Sequence, residues 1–140
     1  MTEQAAVVPR THGIQHVGLS VSDLQGAADF FCDMLGFRVV GGRPSHPAMF
    51  VSDGRSTITL WQVKDPETCS AFDRHQNEGL HHLALEVDSR AALDALHADM
   101  VAYGTDIEFA PESRNDGTAQ HMMLNIPGGP RLELIALNRA

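Results

Sequence analysis

Residues 13–21, GIQHVGLSV, and residues 79–87, GLHHLALEV, decide the fold of this chain, because the second stretch repeats the pattern of the first. The two stretches align at an offset of 66 residues, which makes His16 and His82 equivalent. After each histidine, every second residue is apolar, as is typical of a β-strand with one buried face. The repeat predicts a chain built from two copies of one structural unit.

A helical pattern follows each of these strands. In the first copy we expect Asp23 to cap a helix whose apolar stripe runs to Leu35 and which ends at Gly36. In the second copy Ser89 and Gly104 stand at the corresponding points around a second apolar stripe. Each strand should therefore be followed by an amphipathic helix.

A second match, between residues 49–61 and residues 123–135, places a β-hairpin in each copy. Gly54 and the pair Gly128-Gly129 are the expected turn residues. The offset here is 74 residues, so the second copy carries eight additional residues ahead of its hairpin.

Weaker strand patterns at residues 37–40 and 107–110 complete each copy as a strand, a helix and three strands. We predict an α+β fold of two βαβββ modules, about residues 11–63 and 79–137, related by a pseudo-twofold axis. Each sheet should carry its helix on the convex side, and a cleft should remain between the concave faces.

The length of 140 residues suits one domain with a substantial core, which we place at residues 11–140. Residues 1–10 show no strand or helix periodicity and contain Pro9, so we expect them to form a flexible N-terminal arm. A composition of 43% hydrophobic and 20% charged residues is that of a globular protein.

Charge and hydropathy argue against two classes of partner. The net charge is −8 and the basic residues form no stripe, which disfavours binding to nucleic acid. No apolar run is long enough to span a bilayer, so no membrane partner is expected. Residues 1–10 lack the basic and apolar regions of a signal peptide, which predicts a cytoplasmic location.

The alternation along each strand predicts which side chains face the cleft. His16, His82 and Glu133 lie on the faces opposite to the apolar residues that the helices cover, whereas His81 should point toward the helix layer. The repeat makes Thr59 the counterpart of Glu133, and its neutral hydroxyl is a weaker ligand for a cation than a carboxylate.

Two imidazoles and one carboxylate from separate strands suit a divalent transition metal that keeps open positions for water or substrate. We therefore predict His16, His82 and Glu133 as metal ligands. Ligand type alone leaves Fe(II), Mn(II), Ni(II), Co(II) and Zn(II) as candidates.

The same segments resemble the vicinal oxygen chelate superfamily over nearly the whole chain, from about Gly13 to Leu137. This superfamily includes glyoxalase I, extradiol dioxygenases, methylmalonyl-CoA epimerase, and the fosfomycin and bleomycin resistance proteins. The motifs that carry the resemblance are HVGLSVSDL at 16–24, FF–MLGF at 30–37, HHLALEV at 81–87 and PGG-RLELI at 127–135. Family members place metal ligands at the positions that match His16, His82 and Glu133.

The resemblance implies a metal-dependent enzyme that binds a small oxygenated organic substrate through a divalent metal acting as a Lewis acid. A non-catalytic protein that binds a drug or metabolite, like the bleomycin resistance proteins, is the alternative. Those proteins generally lack the ligand set, so the presence of all three residues favours the enzyme.

The resemblance does not select one reaction among those of a lyase, isomerase, dioxygenase or thiol transferase. Glyoxalase I enzymes carry a glutamate at the position of Thr59. Extradiol enzymes carry a histidine and a tyrosine at the positions of Arg114 and Met123. The fosfomycin enzymes favour a threonine at the position of Gly18 and also a tyrosine at the position of Met123.

Further candidates lie on the expected cleft face. His121 and Glu86 could transfer protons as catalytic groups, although a solvent-facing histidine and a surface carboxylate are the simpler interpretations. Thr59, Trp61 and Met123 are candidate substrate contacts. We expect Met49 to join Trp61 in an apolar wall, although both could equally be core residues.

The resemblance also predicts a homodimer. In short two-module relatives the first-module histidine of one subunit commonly meets the second-module ligands of the other, and twofold dimers are the commonest oligomers. His16 of one chain would then share a metal with His82 and Glu133 of the other chain. The alternative is a cleft closed within one chain.

Overall fold

The computed structural model describes residues 5–138. Two modules of one strand, one helix and three strands follow each other along the chain, which confirms the predicted α+β fold. The first module consists of β1 (His16–Val21), α1 (Leu24–Leu35), β2 (Arg38–Arg43), β3 (Ala48–Ser52) and β4 (Thr57–Gln62). The second consists of β5 (Leu83–Glu86), α2 (Arg90–Tyr103), β6 (Asp106–Ser113), β7 (Ala119–Asn125) and β8 (Arg131–Leu137).

Each module forms one four-stranded sheet, and the two sheets have the same strand order. The first runs β1-β4-β3-β2 and the second β5-β8-β7-β6. In both, the first strand pairs in parallel with the last, and Gly18 lies opposite Thr59 as Ala84 lies opposite Glu133. The sequence repeat is therefore reproduced in the strand register.

Both helices begin and end where the sequence predicts. The side chain of Asp23 accepts a hydrogen bond from the backbone of the first turn of α1, and Ser89 does the same for α2. Gly36 and Gly104 end the helices in the left-handed conformation that glycine adopts without strain.

The helices cover the convex faces of the sheets and share one hydrophobic core. Phe30 and Phe31 of α1 and Leu93 and Met100 of α2 are fully buried in the same cluster. The hydroxyl of Tyr103 also connects the helices, since it lies 3.3 Å from a carboxylate oxygen of Asp33 on α1. This shared apolar core holds the two modules together.

The weaker strands are longer than the sequence pattern indicated. β2 continues through a glycine pair, and β6 extends to Ser113, with register shifts in both strand pairs. Residues 5–10 form exposed coil, while residues 1–4 of the predicted arm lie outside the described part. Within residues 5–138, neither helix is long and apolar enough to cross a membrane.

The turn between β7 and β8 is a second junction between the modules. The backbone N–H of Ser22, just after β1, donates to the carbonyl of Gly128 at 2.6 Å. Gly128 has a φ of 62°, and a Cβ added there would lie 2.6 Å from the backbone nitrogen of Asp23. Glycine at this turn is therefore required by both conformation and space.

We predict that Gly128→Ala destabilises the protein more than Gly54→Ala. Gly54 occupies the equivalent turn with a φ of 91°, but an added Cβ would meet no atom within 4 Å. Gly54→Ala therefore measures only the cost of placing alanine in the left-handed conformation. Gly128→Ala should lose roughly 1–3 kcal/mol more unfolding free energy, because its Cβ also collides with the first module. Urea unfolding of both variants measures the difference, and equal losses would contradict the proposed importance of the junction.

Candidate metal and substrate site

Glu133 lies at the centre of the concave face of the second sheet, with an imidazole near each of its carboxylate oxygens. Nδ1 of His121 is 2.7 Å from Oε2, and Nε2 of His82 is 3.8 Å from Oε1. The side chains of Glu133 and His121 are only 13% and 18% exposed. Two of the three predicted ligands, and one predicted catalytic residue, thus come together within one chain.

The strand register explains this cluster. On one side of β8, Ala84 of β5 lies opposite Glu133, and His82 precedes Ala84 by two residues. On the other side, Met123 of β7 lies opposite Glu133, and His121 precedes Met123 by two residues. Because side chains two residues apart in a strand share a face, His121 projects from the face that carries Glu133. His82 lies just ahead of β5, and its imidazole reaches the same carboxylate.

The other catalytic candidate, Glu86, is on the same face. Glu86 of β5 and His121 of β7 both lie opposite Ile135 of β8, one on each side. Glu86 is exposed at the end of its strand. The two candidates therefore flank the same point on β8, and their catalytic roles stay predictions.

His16 and Thr59 lie on the first sheet. His16 is exposed at the start of β1, and its Nδ1 is 2.6 Å from the side-chain oxygen of Gln15. Thr59 is 8% exposed, and its hydroxyl accepts from Trp61 Nε1 at 3.0 Å and donates to the carbonyl of Val17 at 3.4 Å. Its oxygen is therefore already hydrogen-bonded within the protein.

Within the chain, the structure joins His82 to Glu133 but does not add His16. Among residues 5–138, no three side chains of the metal-binding types are placed so that they could hold one ion. His82 supplies a nitrogen donor and Glu133 a negatively charged oxygen donor, which fits part of a divalent transition-metal site. The three-ligand set as a whole stays a prediction.

Of the two interpretations of Met49, the structure confirms the core and not an apolar wall with Trp61. Met49 packs against the core, and Phe50 lies beside Trp61 with 5.9 Å between ring centroids. Phe50 lies opposite Thr59, whereas Met123 lies opposite Glu133, because the turn of the second hairpin is one residue longer. That difference shifts the hairpin alignment by one residue and reverses the face of Met49.

Met123 does lie on the concave face, as its position opposite Glu133 requires, and it is 5% exposed. Trp61 is partly buried, and Gly18 lies beside it on β1. A Cβ at Gly18 would be 3.6 Å from the indole nitrogen and 3.1 Å from the Thr59 hydroxyl. The missing side chain therefore leaves room for the Thr59 hydroxyl, while the indole would be at ordinary contact distance.

His81 does not point toward the helix layer. Its Nδ1 lies 2.8 Å from Nδ1 of His82 and 3.2 Å from the guanidinium of Arg131, which also donates to Glu108. β5 begins only at Leu83, so strand alternation does not govern this residue. Partial loss of hydration, followed by the charge of Arg131, lowers the pKa of His81.

Trp61 is the single tryptophan of the chain, so its fluorescence reports on this face. We predict that Phe50→Ala shifts its emission to longer wavelength, because the neighbouring ring is lost and water gains access. Met49→Ala should instead leave the emission nearly unchanged and cost about 2 kcal/mol of stability, since Met49 packs against the core. The reverse pattern in emission spectra and urea unfolding would show that the register is wrong.

Comparison with known proteins agrees with this architecture. Over 96 residues the chain is 28% identical to the mitochondrial methylmalonyl-CoA epimerase of Mus musculus, which covers 64% of this chain and 54% of the epimerase. It is 42% identical over 52 residues to the catechol-2,3-dioxygenase of Bacillus subtilis (strain 168), covering 37% of this chain and 18% of that protein. The chain thus spans about half, or less, of the length of these curated relatives.

Among solved structures, a glyoxylase/bleomycin resistance protein/dioxygenase domain from Frankia sp. EAN1pec superposes with a TM-score of 0.80. The match is 21% identical and covers 93% of this chain and 95% of the other, which shows a common fold. The family model described as the Glyoxalase/Bleomycin resistance protein/Dioxygenase superfamily matches residues 13–134. The chain therefore belongs to the glyoxalase/bleomycin resistance protein/dioxygenase superfamily.

Proposed function

We propose that this protein is a metal-dependent enzyme that acts on a small oxygenated organic molecule. The observation that carries this proposal is the carboxylate of Glu133 on the concave face, with Nε2 of His82 3.8 Å from Oε1. His16, His82 and Glu133 would hold a divalent ion, which would supply Lewis-acid chemistry. The named relatives, an epimerase and a dioxygenase, catalyse different classes of reaction, so they do not select one reaction for this chain.

We infer that His16 reaches the other two ligands across a homodimer. His16, Gly18 and Ser20 share the concave face of β1, and all three are exposed in the single chain. A twofold dimer that places this face over the second sheet of another subunit would cover these residues and complete two identical sites. The cytoplasmic location also stays a prediction.

The residues of the chain have distinct tasks in this proposal. Glu133 provides the only negative charge among the three ligands, while the neutral Thr59 leaves coordination positions open to a substrate. Phe50 and Trp61 offer an apolar surface for the carbon skeleton of that substrate. Glu86, exposed on the same face as Glu133, would accept a proton from a bound substrate.

One observation favours the alternative of a non-catalytic drug- or metabolite-binding protein. A cavity of about 850 Å³ lies between the linker of the two modules and the turn that follows β7. Phe72, Leu80 and Tyr103 line it, and its volume is that of an ordinary small-molecule pocket. Glu133 does not line this cavity, so a ligand there would need no metal.

We predict that the wild-type protein binds about one divalent transition-metal ion per chain and that Glu133→Ala binds almost none. Removal of the carboxylate takes away the charged donor of the site. The measurement is metal content and affinity after purification without chelator and without a histidine tag. His97→Ala, which removes a half-buried histidine of α2, should keep full occupancy. A wild-type protein without bound metal would favour the binding-protein alternative.

A mixed dimer tests the shared site directly. His16→Ala and Glu133→Ala homodimers should both bind little metal. A dimer of one His16→Ala chain and one Glu133→Ala chain keeps one complete cross-chain site, so it should bind about half of the wild-type amount. Purification through two different metal-free affinity tags isolates this species. If the mixed dimer stays empty while wild type is loaded, the site is formed within one chain.

A further inference from the structure

The chemistry of the two groups decides which atom is the donor in the hydrogen bond between His121 and Glu133. An ionised carboxylate has no proton to donate, so Nδ1 of His121 must carry the proton in this 2.7 Å hydrogen bond to Oε2. Hydrogen bonds to a charged acceptor are about twice as strong as neutral ones, and both side chains here are largely sheltered from water. Oε2 is therefore held, while Oε1 faces His82.

The imidazole ring that makes this bond is itself held in place. The ring of Phe109 packs against it edge to face, with 5.1 Å between centroids. Its other nitrogen, Nε2, is 4.0 Å from Oε1 of the exposed Glu112 on β6, which is too far for a hydrogen bond. His121 also projects from β7, a strand paired on both sides, so its backbone is fixed. A ring held this way can determine the orientation of the carboxylate that it contacts.

The two modules differ at both of these positions together. The register places Thr59 of the first sheet where the second has Glu133. By the same register, Ala48 stands where the second sheet has His121, since Ala48 lies opposite Trp61 as His121 lies opposite Ile135. The imidazole therefore occurs in the module that carries the carboxylate and is absent from the module that lacks it.

We propose that His121 is a positioning residue for the metal site, one that fixes Glu133 as a ligand through Oε1 alone. The inference rests on the proposed function. The terminal torsion of a glutamate has broad preferences, so an unheld carboxylate would lose more freedom on binding an ion. With Oε2 occupied by His121, the remaining oxygen is presented on the side of His82.

Cobalt(II) binding to metal-free protein tests the proposal without any assay of activity. His121→Ala should weaken the affinity roughly 10–100-fold, the usual effect of losing a group that orients a ligand. His121→Asn keeps an N–H donor near the place of Nδ1 and should stay within about threefold of wild type. Glu112→Gln, a change at the exposed group near Nε2, should bind cobalt(II) as wild type does.

The visible spectrum of bound cobalt(II) separates positioning from direct ligation. A spectrum and stoichiometry that His121→Asn shares with wild type support positioning, whereas a changed coordination spectrum in that variant overturns it. Wild-type affinity in His121→Ala would also overturn it while leaving the proposed function intact. A wild-type protein that binds no cobalt(II) would instead reject the proposed function, and the positioning role with it.

Nitrogen NMR of the metal-free wild-type protein reports the protonated nitrogen of His121, and a general loss of stability would not produce the same signal. Nδ1 of His121 should carry a proton, and its signal should move in Glu133→Ala. A ring with its only proton on Nε2 would overturn the proposal. Thermal unfolding of each variant verifies that binding is measured on folded protein.

Discussion

The parallel pairing of the first and last strands of each module is the constraint on which the rest of this structure depends. It sets Gly18 opposite Thr59 and Ala84 opposite Glu133, and thereby decides which residues meet on each concave face. The helix between these strands covers the other face and supplies the apolar surface that joins both modules in one core. A slip of one residue in this pairing would turn Glu133 toward the helix layer, where an unpaired charge is costly.

The two modules share one backbone architecture but present different side chains on their concave faces. On the first sheet, Thr59 is hydrogen-bonded to the indole of Trp61, and the ring of Phe50 lies beside that indole. On the second sheet, Glu133 lies between His82 and His121, and the face is charged and rich in nitrogen donors. A substrate between two such faces could contact apolar surface on one side and a metal-binding group on the other.

This division is the physical basis of the proposed homodimer. The second sheet brings two predicted ligands together in one chain, while His16 lies exposed on the first sheet. Gly18 and Ser20, on the same face of β1, are also exposed in the single chain. In the proposed homodimer, another subunit would cover that face, and His16 would be the third donor of the proposed metal site.

The sequence alone determined the repeat, the two βαβββ modules, both helices with their caps, and the face of Glu133. These features depend on local periods and caps, which a single stretch of chain specifies. Only the tertiary structure decided which residues are neighbours on adjacent strands. A hairpin turn longer by one residue in the second module put Phe50, and not Met49, beside Trp61. Alternation fixes a face only within one strand, whereas turn length and hydrogen-bond register fix the neighbours across strands.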